Sequence, residues 1–194
     1  MAEGIIIFAH GSGSGRFSPR NQFVAEMLVK GGFATLLLDL LTEKEEEKDS
    51  LTYEYRFDIS LLAGRLLGAT EWVKQEEGIK DLLIGYFGAS TGAAAALIAA
   101  AKRPDLIRVV VSRGGRPDLG DRFLPLVKAP TLLIVGGNDT SVIELNKEAY
   151  EKLVSMKKLA IVPRATHLFE ESGALEKVGE LALNWFLEKM VSFF

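Results

Sequence analysis

The sequence predicts an α/β protein with a mainly parallel sheet of about six strands. Short apolar runs alternate with longer segments of helical periodicity along the chain, which is typical of this class. The runs are almost continuously apolar, as expected for strands that are buried on both faces. Glycine and proline residues separate the elements, and we see no internal repeat and no linker. We therefore expect a three-layer sandwich that forms a single domain over residues 1–194.

The individual elements follow from these patterns in chain order. The predicted strands are the apolar runs Ile5–Phe8, Ala34–Leu38, Leu82–Phe87, Ile107–Val111, Leu132–Val135 and Leu159–Val162. The predicted helices are the amphipathic segments Gln22–Val29, Ile59–Glu76, Gly92–Lys102, Ile143–Leu153 and Leu175–Met190. The breakers between them are Gly31-Gly32, Gly78, Pro104, Gly114-Gly115, Pro130 and Gly136-Gly137.

Composition limits the possible partners and compartment. The chain is 48% hydrophobic, which suits a sizeable core, and its net charge of −3 gives no strong field for nucleic acid or anionic lipid. It has no cysteine, so disulfides and thiolate metal sites are excluded. The start of the chain does not resemble a signal peptide, and no apolar run approaches the ~18 residues that span a bilayer. We expect a cytoplasmic protein with no nucleic-acid or membrane partner.

The stretch "GYFGASTGAAAAL" carries the strongest chemical signal. It holds the one G-x-S-x-G pattern in the chain, with Ser90 at its centre. A predicted strand precedes the pattern and a helical segment follows it, which is the context of a nucleophile elbow. Glycines suit both flanks because bulkier side chains would collide with neighbouring elements in so tight a turn. Ser90 is the candidate nucleophile, although a solvated serine in a glycine-rich turn would show the same pattern.

A serine hydroxyl needs a base before it can attack a carbonyl carbon. The chain offers two histidines, His10 and His167. Enzymes with such an elbow keep the chain order serine, acid, histidine, and His167 is the histidine that follows Ser90. His167 is therefore the candidate base, and His10 is expected to be a structural residue.

The acid of such a site should lie between serine and histidine, on a loop that follows a strand. In "TLLIVGGNDTSV", Asp139 comes just after the fifth apolar run. We prefer it because the Gly136-Gly137 turn lets the chain reverse and carry a carboxylate over the sheet edge. Asp118 and Asp121 are rival candidates. Asp139 would accept the Nδ1 proton of His167 and fix the tautomer of the imidazole.

The stretch "FAHGSGSGRF" is expected to complete the site as part of an oxyanion hole. One donor would be the amide of Thr91, which follows the nucleophile and opens a helix. If the first and third strands are neighbours at the switch point of the sheet, the loop after His10 faces Ser90. Its glycines would allow close approach of the backbone, and the Ser12 amide is our candidate second donor.

A nucleotide-binding module is an alternative interpretation of the same glycine-rich loop. The loop lacks the lysine of a P-loop and misses the G-x-G-x-x-G spacing. Asp39, at the end of the second predicted strand, nevertheless lies where a ribose-binding acid could sit. A hydrolase fold used only for binding is a further alternative.

Taken together, these motifs resemble the α/β-hydrolase superfamily, in particular small enzymes of the dienelactone-hydrolase type that lack a cap domain. The matches are "HGSGSG", "GYFGASTGAAAAL", "LLIVGGNDTSV" and "ATHLFEE", in the family's order. The resemblance implies hydrolysis of carboxylic esters or lactones through an acyl-enzyme, with neither metal nor organic cofactor. Dienelactone hydrolases proper carry a cysteine nucleophile, so Ser90 favours hydrolysis of ordinary small esters. Lactonase, thioesterase and acyltransferase activities would use the same machinery.

The resemblance also raises expectations about the surroundings of the site. The β-hairpin with which family members usually begin is expected to be absent, which favours a homodimer to which the tail "MVSFF" could contribute. The charged segment 42–49 is expected to be a solvated loop or helix face, or else a flap over the site. The residues that could line a substrate pocket are Arg16, Phe17, Leu41, Arg113 and Arg116. If the arginines face the site, they would favour an acidic substrate.

Overall fold

The computed structural model describes residues 2–191, and its centre is one parallel sheet. The strands are β1 (Ile5–Ala9), β2 (Ala34–Leu37), β3 (Ile84–Ala89), β4 (Ile107–Arg113), β5 (Thr131–Gly136) and β6 (Lys157–Val162). The helices are α1 (Pro19–Lys30), α2 (Glu43–Thr52), α3 (Ile59–Gln75), α4 (Thr91–Lys102), α5 (Thr140–Lys152) and α6 (Ala174–Phe186). A 3₁₀ segment covers Pro117–Leu126, and a π-helical turn, Leu187–Val191, continues α6.

The order of the strands creates a switch point beside β1. The sheet runs β2-β1-β3-β4-β5-β6, and each described pairing is parallel. From β1, the chain crosses to one edge through β2 and then continues to the other side through β3. Because β1 and β3 pair with Ala9 beside Gly88, the loops that follow them leave the sheet side by side. The expectation that the loop after His10 faces Ser90 depends on this pairing, and the two loops lie at the place where ligands bind in doubly wound sheets.

Two apolar layers cover the sheet and confirm the predicted three-layer sandwich. Helices α3, α4 and α5 pack on one face, with side chains such as Leu66, Leu97 and Ala149. Helices α1 and α6 pack on the other, with side chains such as Leu28 and Phe186. The alanine-rich helix α4 is buried from Thr91 to Ala100 because it lies between the sheet, α3 and the 3₁₀ segment.

The charged segment, for which the sequence predicts a solvated loop or helix face, forms helix α2. The Thr42 hydroxyl accepts from the Glu45 amide, and the Glu45 carboxylate accepts from the Thr42 amide, so a capping box starts this helix. The apolar periodicity of a helix is missing from the sequence because α2 has hardly any apolar residues. The 3₁₀ segment escapes prediction for a related reason, since glycine and proline interrupt its sequence.

The remaining expectations concern the periphery of the fold. No cap domain is inserted above the sheet within residues 2–191, as predicted. In the tail "MVSFF", Met190 is buried against the α1/α6 face, and Ser192, Phe193 and Phe194 lie outside the described residues. None of the helices between residues 2 and 191 has the length and apolarity needed to cross a membrane.

Candidate active site

The turn between β3 and α4 places Ser90 at the carboxyl edge of the sheet in a strained conformation. Its φ is 51° and its ψ is −120°, a combination that a non-glycine residue adopts rarely. The Ser90 amide donates to the Arg113 carbonyl at 3.1 Å, and the Ser90 carbonyl accepts from the Arg116 amide at 3.1 Å. These bonds to the end of β4 hold the turn in place, so the geometry is that of a nucleophile elbow.

The glycines on either side of Ser90 are required by close backbone contacts. A Cβ atom on Gly92 would lie 2.2 Å from the Ala9 carbonyl oxygen, and one on Gly88 would lie 2.5 Å from the Ala93 Cα. Both distances are below any real contact of a Cβ atom. The collision predicted from the sequence is therefore present at both positions.

His167 and Asp139 form a hydrogen-bonded pair at the same edge of the sheet. The His167 Nδ1 atom lies 2.6 Å from the Asp139 Oδ2 atom, and the Asp139 side chain is 12% exposed. A Cβ atom on Gly136 would lie 2.4 Å from the Ala165 carbonyl oxygen, so glycine at the end of β5 lets the histidine loop pack directly on the strand. The rival acids point elsewhere: Asp118 binds Arg116, and Asp121 binds Lys152.

Gly114 links the histidine loop to the serine turn. It follows Arg113 at the end of β4, and a Cβ atom there would lie 3.4 Å from Cε1 of the His167 ring. The residue that holds the Ser90 amide and the residue that supports the imidazole are thus neighbours in the chain. Ser90 and His167 thus both lie beside the end of β4, at Arg113 and Gly114. In the described part of the chain, no hydrogen bond joins their side chains. Such bonds often tighten only when substrate is bound.

The loop after β1 packs against Ser90, as the sequence predicts. A Cβ atom on Gly11 would lie 3.1 Å from the Ser90 Cβ, and the Ser12 Oγ lies 3.0 Å from the Thr91 Oγ1. Within residues 2–191, neither the Ser12 amide nor the Thr91 amide has a hydrogen-bond acceptor. Two free amide donors therefore lie next to the serine, one of them at the start of α4.

His10 has a structural place in this loop. It is buried, and its Nε2 accepts from the Leu40 amide at 2.9 Å. Because Nε2 is an acceptor, Nδ1 carries the proton and donates to the Gly11 carbonyl, also at 2.9 Å. His10 thereby ties the loop after β1 to the end of β2, in agreement with the role expected from the sequence.

A cleft of about 1300 Å³ opens beside the loop after β1, and three of the predicted pocket residues line it. These are Arg16, Phe17 and Leu41. The Arg16 amide and guanidinium both bind the carboxylate of Asp39, the acid considered above for ribose binding. Helix α2 forms the far wall of the cleft.

The structure corrects the expectation for Arg113, which lies away from that cleft. Arg113 lies on the same face of β4 as Val109 and Val111. Its side chain therefore enters the apolar layer under α1 and α6. It is 7% exposed, and its Nε and Nη1 atoms are buried without a partner among the described residues. Burial, with a smaller effect of nearby Arg20, lowers the pKa of Arg113 to about 10. Arg116, the other arginine after β4, is paired with Asp118.

Comparison with known proteins shows where this architecture belongs. The model of the dienelactone hydrolase family matches residues 1–194. The chain belongs to the dienelactone hydrolase family. The crystal structure of a dienelactone hydrolase from Anabaena variabilis is 59% identical, with a TM-score of 0.96 over 97% of this chain and 88% of that one.

Two other kinds of protein are also similar to this member of the dienelactone hydrolase family: solved structures of low sequence identity, and longer curated relatives. Est1E from Butyrivibrio proteoclasticus is 18% identical, with a TM-score of 0.81 over 97% of this chain and 89% of that one, and shares the fold. A curated relative from Mycobacterium tuberculosis, named "Putative phosphoribosyl transferase", is 54% identical over 187 residues, which are 96% of this chain. The chain spans 41% of the length of that relative.

Proposed function

We propose that the chain is a serine hydrolase that cleaves small carboxylic esters through an acyl-enzyme. The observation that carries the proposal is the meeting, at one edge of the sheet, of a strained serine and a hydrogen-bonded histidine–aspartate pair. Ser90 would be the nucleophile, His167 the general base and acid, and Asp139 the residue that orients the imidazole. No other serine, histidine and acid are brought together in this way in the described chain.

In the proposed reaction, the Ser90 Oγ attacks the ester carbonyl carbon while its proton passes to the His167 Nε2. The carbonyl oxygen becomes an oxyanion, which the amides of Ser12 and Thr91 would stabilise together with the positive end of the α4 dipole. The intermediate collapses, the alcohol leaves with the proton from His167, and an ester of Ser90 remains. Water then attacks this acyl-enzyme through the same steps, releasing the carboxylic acid and restoring the serine hydroxyl.

Two alternative assignments can be compared with ester hydrolysis. Lactones, thioesters and acyl acceptors other than water would fit the same machinery, and the measured substrate preference decides among them. The transferase name belongs to relatives more than twice as long as this chain, and the acid considered for ribose binding is occupied by Arg16. A nucleotide site is therefore the less supported alternative.

The proposal is tested by steady-state hydrolysis of p-nitrophenyl acetate and butyrate by the wild type and by Ser90→Ala and His167→Gln. We expect turnover by the wild type and a loss of at least about 10³-fold in kcat in each variant, with folding confirmed by circular dichroism. Activity that survives in Ser90→Ala would contradict the proposal. Tight binding of a nucleotide by a wild type that hydrolyses no ester would favour the alternative.

A further inference from the structure

The segment after helix α2 is held in an unusual shape by one buried carboxylate. Asp49 is 1% exposed although aspartate is rarely buried so completely. Its Oδ1 accepts from the amides of Tyr55 at 2.7 Å and Arg56 at 2.9 Å, and its Oδ2 accepts from the Arg56 Nε at 2.6 Å. Tyr53, between them, has a φ of 57°. The carboxylate thus fixes a turn that the backbone would not favour on its own.

Arg56 closes the same turn from the other side. Its Nη2 donates to the Asp49 carbonyl at 3.1 Å, and its guanidinium lies 4.2 Å from the centre of the Tyr53 ring. The Arg56 side chain is 18% exposed, so water competes little for these donors. Asp49 therefore binds both the backbone amide and the side chain of Arg56, the residue whose carbonyl faces Ser12.

The Arg56 carbonyl connects this turn to the loop after β1. The Ser12 hydroxyl donates to it at 3.2 Å. Because the proton of Ser12 is committed to that bond, the 3.0 Å contact between Ser12 and Thr91 must use the Thr91 hydroxyl as donor. A continuous chain of hydrogen bonds thus runs from Thr91 through Ser12 to Arg56. It joins the two residues whose amides are the candidate oxyanion donors.

We propose that Asp49 is a positioning residue for the oxyanion hole, acting through the Arg56 carbonyl and the hydroxyls of Ser12 and Thr91. The inference rests on the proposed function and extends it to a residue remote from the reacting atoms. The loop after β1 needs such support because it is rich in glycine and reverses at Gly13, whose φ is 66°. Its far end is anchored by the Arg16–Asp39 pair, and its near end is anchored by Ser12. Small displacements of a donor amide are costly in catalysis.

The test compares Asp49→Asn with a control on the same helix. Asn has one acceptor oxygen and one NH2 group, so it loses either the bond from the Arg56 Nε or the bonds from the Tyr55 and Arg56 amides. Glu45→Gln is the matched control, because it weakens the tie of α2 to Arg65 and has no link to Ser12. We expect Asp49→Asn to lower kcat about 10- to 100-fold with KM changed less than about twofold, per active site counted by the burst of p-nitrophenol. Glu45→Gln should keep the wild-type kcat.

A double variant separates positioning from general destabilisation. Ser12→Ala removes the connection to Arg56 and keeps the backbone amide, so it should lower kcat by itself. In the Ser12→Ala background, Asp49→Asn should then have almost no additional effect, since its path to the site is already broken. Effects that multiply in the double variant, or an equal loss in Glu45→Gln, would overturn the inference. Arg56→Lys provides the same comparison if Asp49→Asn folds poorly.

Amide hydrogen exchange provides a readout that needs no substrate. Exchange of the Ser14 amide, which donates to the Gly11 carbonyl at 3.2 Å, should become faster in Asp49→Asn and stay unchanged in Glu45→Gln, and unchanged exchange in both would overturn the inference. Wild-type protein without Ser90-dependent turnover would instead contradict the proposed function. The exchange result would still show whether Asp49 controls the loop, so the two failures are distinguishable.

Discussion

The Asp139 carboxylate binds the Nδ1 atom of His167 at 2.6 Å, on the side of the ring opposite Nε2. The carboxylate is largely shielded, while the imidazole is 39% exposed at the surface. This arrangement leaves Nε2 as the ring atom that can take a proton from a nucleophile. It also means that the tautomer of His167 depends on one carboxylate.

Replacing Asp139 with asparagine should therefore greatly lower kcat without unfolding the protein. An amide at this position can hold the wrong tautomer, with the proton on Nε2, which cannot then act as a base. We expect kcat for p-nitrophenyl acetate to fall about 10²- to 10⁴-fold. Asp118→Asn is the control, because Asp118 is paired with Arg116 and should leave the rate within about twofold. If only Asp118→Asn lost activity, the assignment of the acid would be wrong.

A second prediction concerns the elbow itself. A methyl group at Gly92 would meet the carbonyl oxygens of Ala9 and His10 at 2.2 and 2.4 Å, and backbone atoms cannot move aside cheaply. We expect Gly92→Ala to lower the free energy of unfolding by about 3 kcal/mol or more in urea denaturation. Gly64→Ala is the matched control, since Gly64 lies in α3 and a methyl group there would have no atom within 4 Å among the described residues. That change should be neutral or stabilise by up to about 1 kcal/mol.

The buried Asp49 predicts a particular dependence of stability on pH. Burial alone would raise the pKa of Asp49, but hydrogen bonds from Arg56 and the Tyr55 amide outweigh it, and the pKa lies below its usual value. A carboxyl with a lowered pKa in the folded state stabilises the fold above its unfolded pKa of about 3.9, and loses this contribution as the pH falls further. Urea denaturation should thus show a gap in stability between the wild type and Asp49→Asn at neutral pH that shrinks below about pH 4. A gap that is constant with pH would contradict an ionised Asp49.

Replacing Arg113 is expected to increase the stability of the protein. With a pKa of about 10, Arg113 is still charged at neutral pH, yet its Nε and Nη1 lack partners in the described chain. An unpaired buried charge is costly, so Arg113→Met should preserve the fold and raise the free energy of unfolding by about 1 kcal/mol or more. Hydrolysis of neutral esters should be unchanged. A variant that selectively lost activity on anionic esters would contradict this prediction and indicate that Arg113 binds the substrate.

The sequence is sufficient to predict the parts of the structure that depend on local patterns. The strands follow from the apolar runs, and the turn at Ser90 follows from the context of the G-x-S-x-G pattern. The pairing of β1 with β3 is not local and enters the sequence-based argument only as a condition. For the segment of helix α2 the sequence leaves a loop and a helix face open, because its polar residues have no apolar period, although the capping box of Thr42 and Glu45 is a readable start signal. A local pattern can thus reveal where a helix begins even when its packing face is absent.

Other features could not be derived from the sequence for physical reasons. Arg113 ends a run that is buried on both faces, so its neighbours do not reveal which face it points to. The link from Asp49 to Ser12 joins residues that are far apart in the chain and carry no shared motif. Only the packing of the α2–α3 turn on the loop after β1 brings them together.

Covalent labelling of Ser90 tests the proposed serine hydrolase most directly. The protein is incubated with a fluorophosphonate, and the modified residue is located by mass spectrometry of its peptides. We expect a single adduct on Ser90, formed rapidly by the wild type, slowly by His167→Gln and not at all by Ser90→Ala. An unlabelled Ser90 in a folded wild type that still hydrolyses p-nitrophenyl acetate would contradict the proposal.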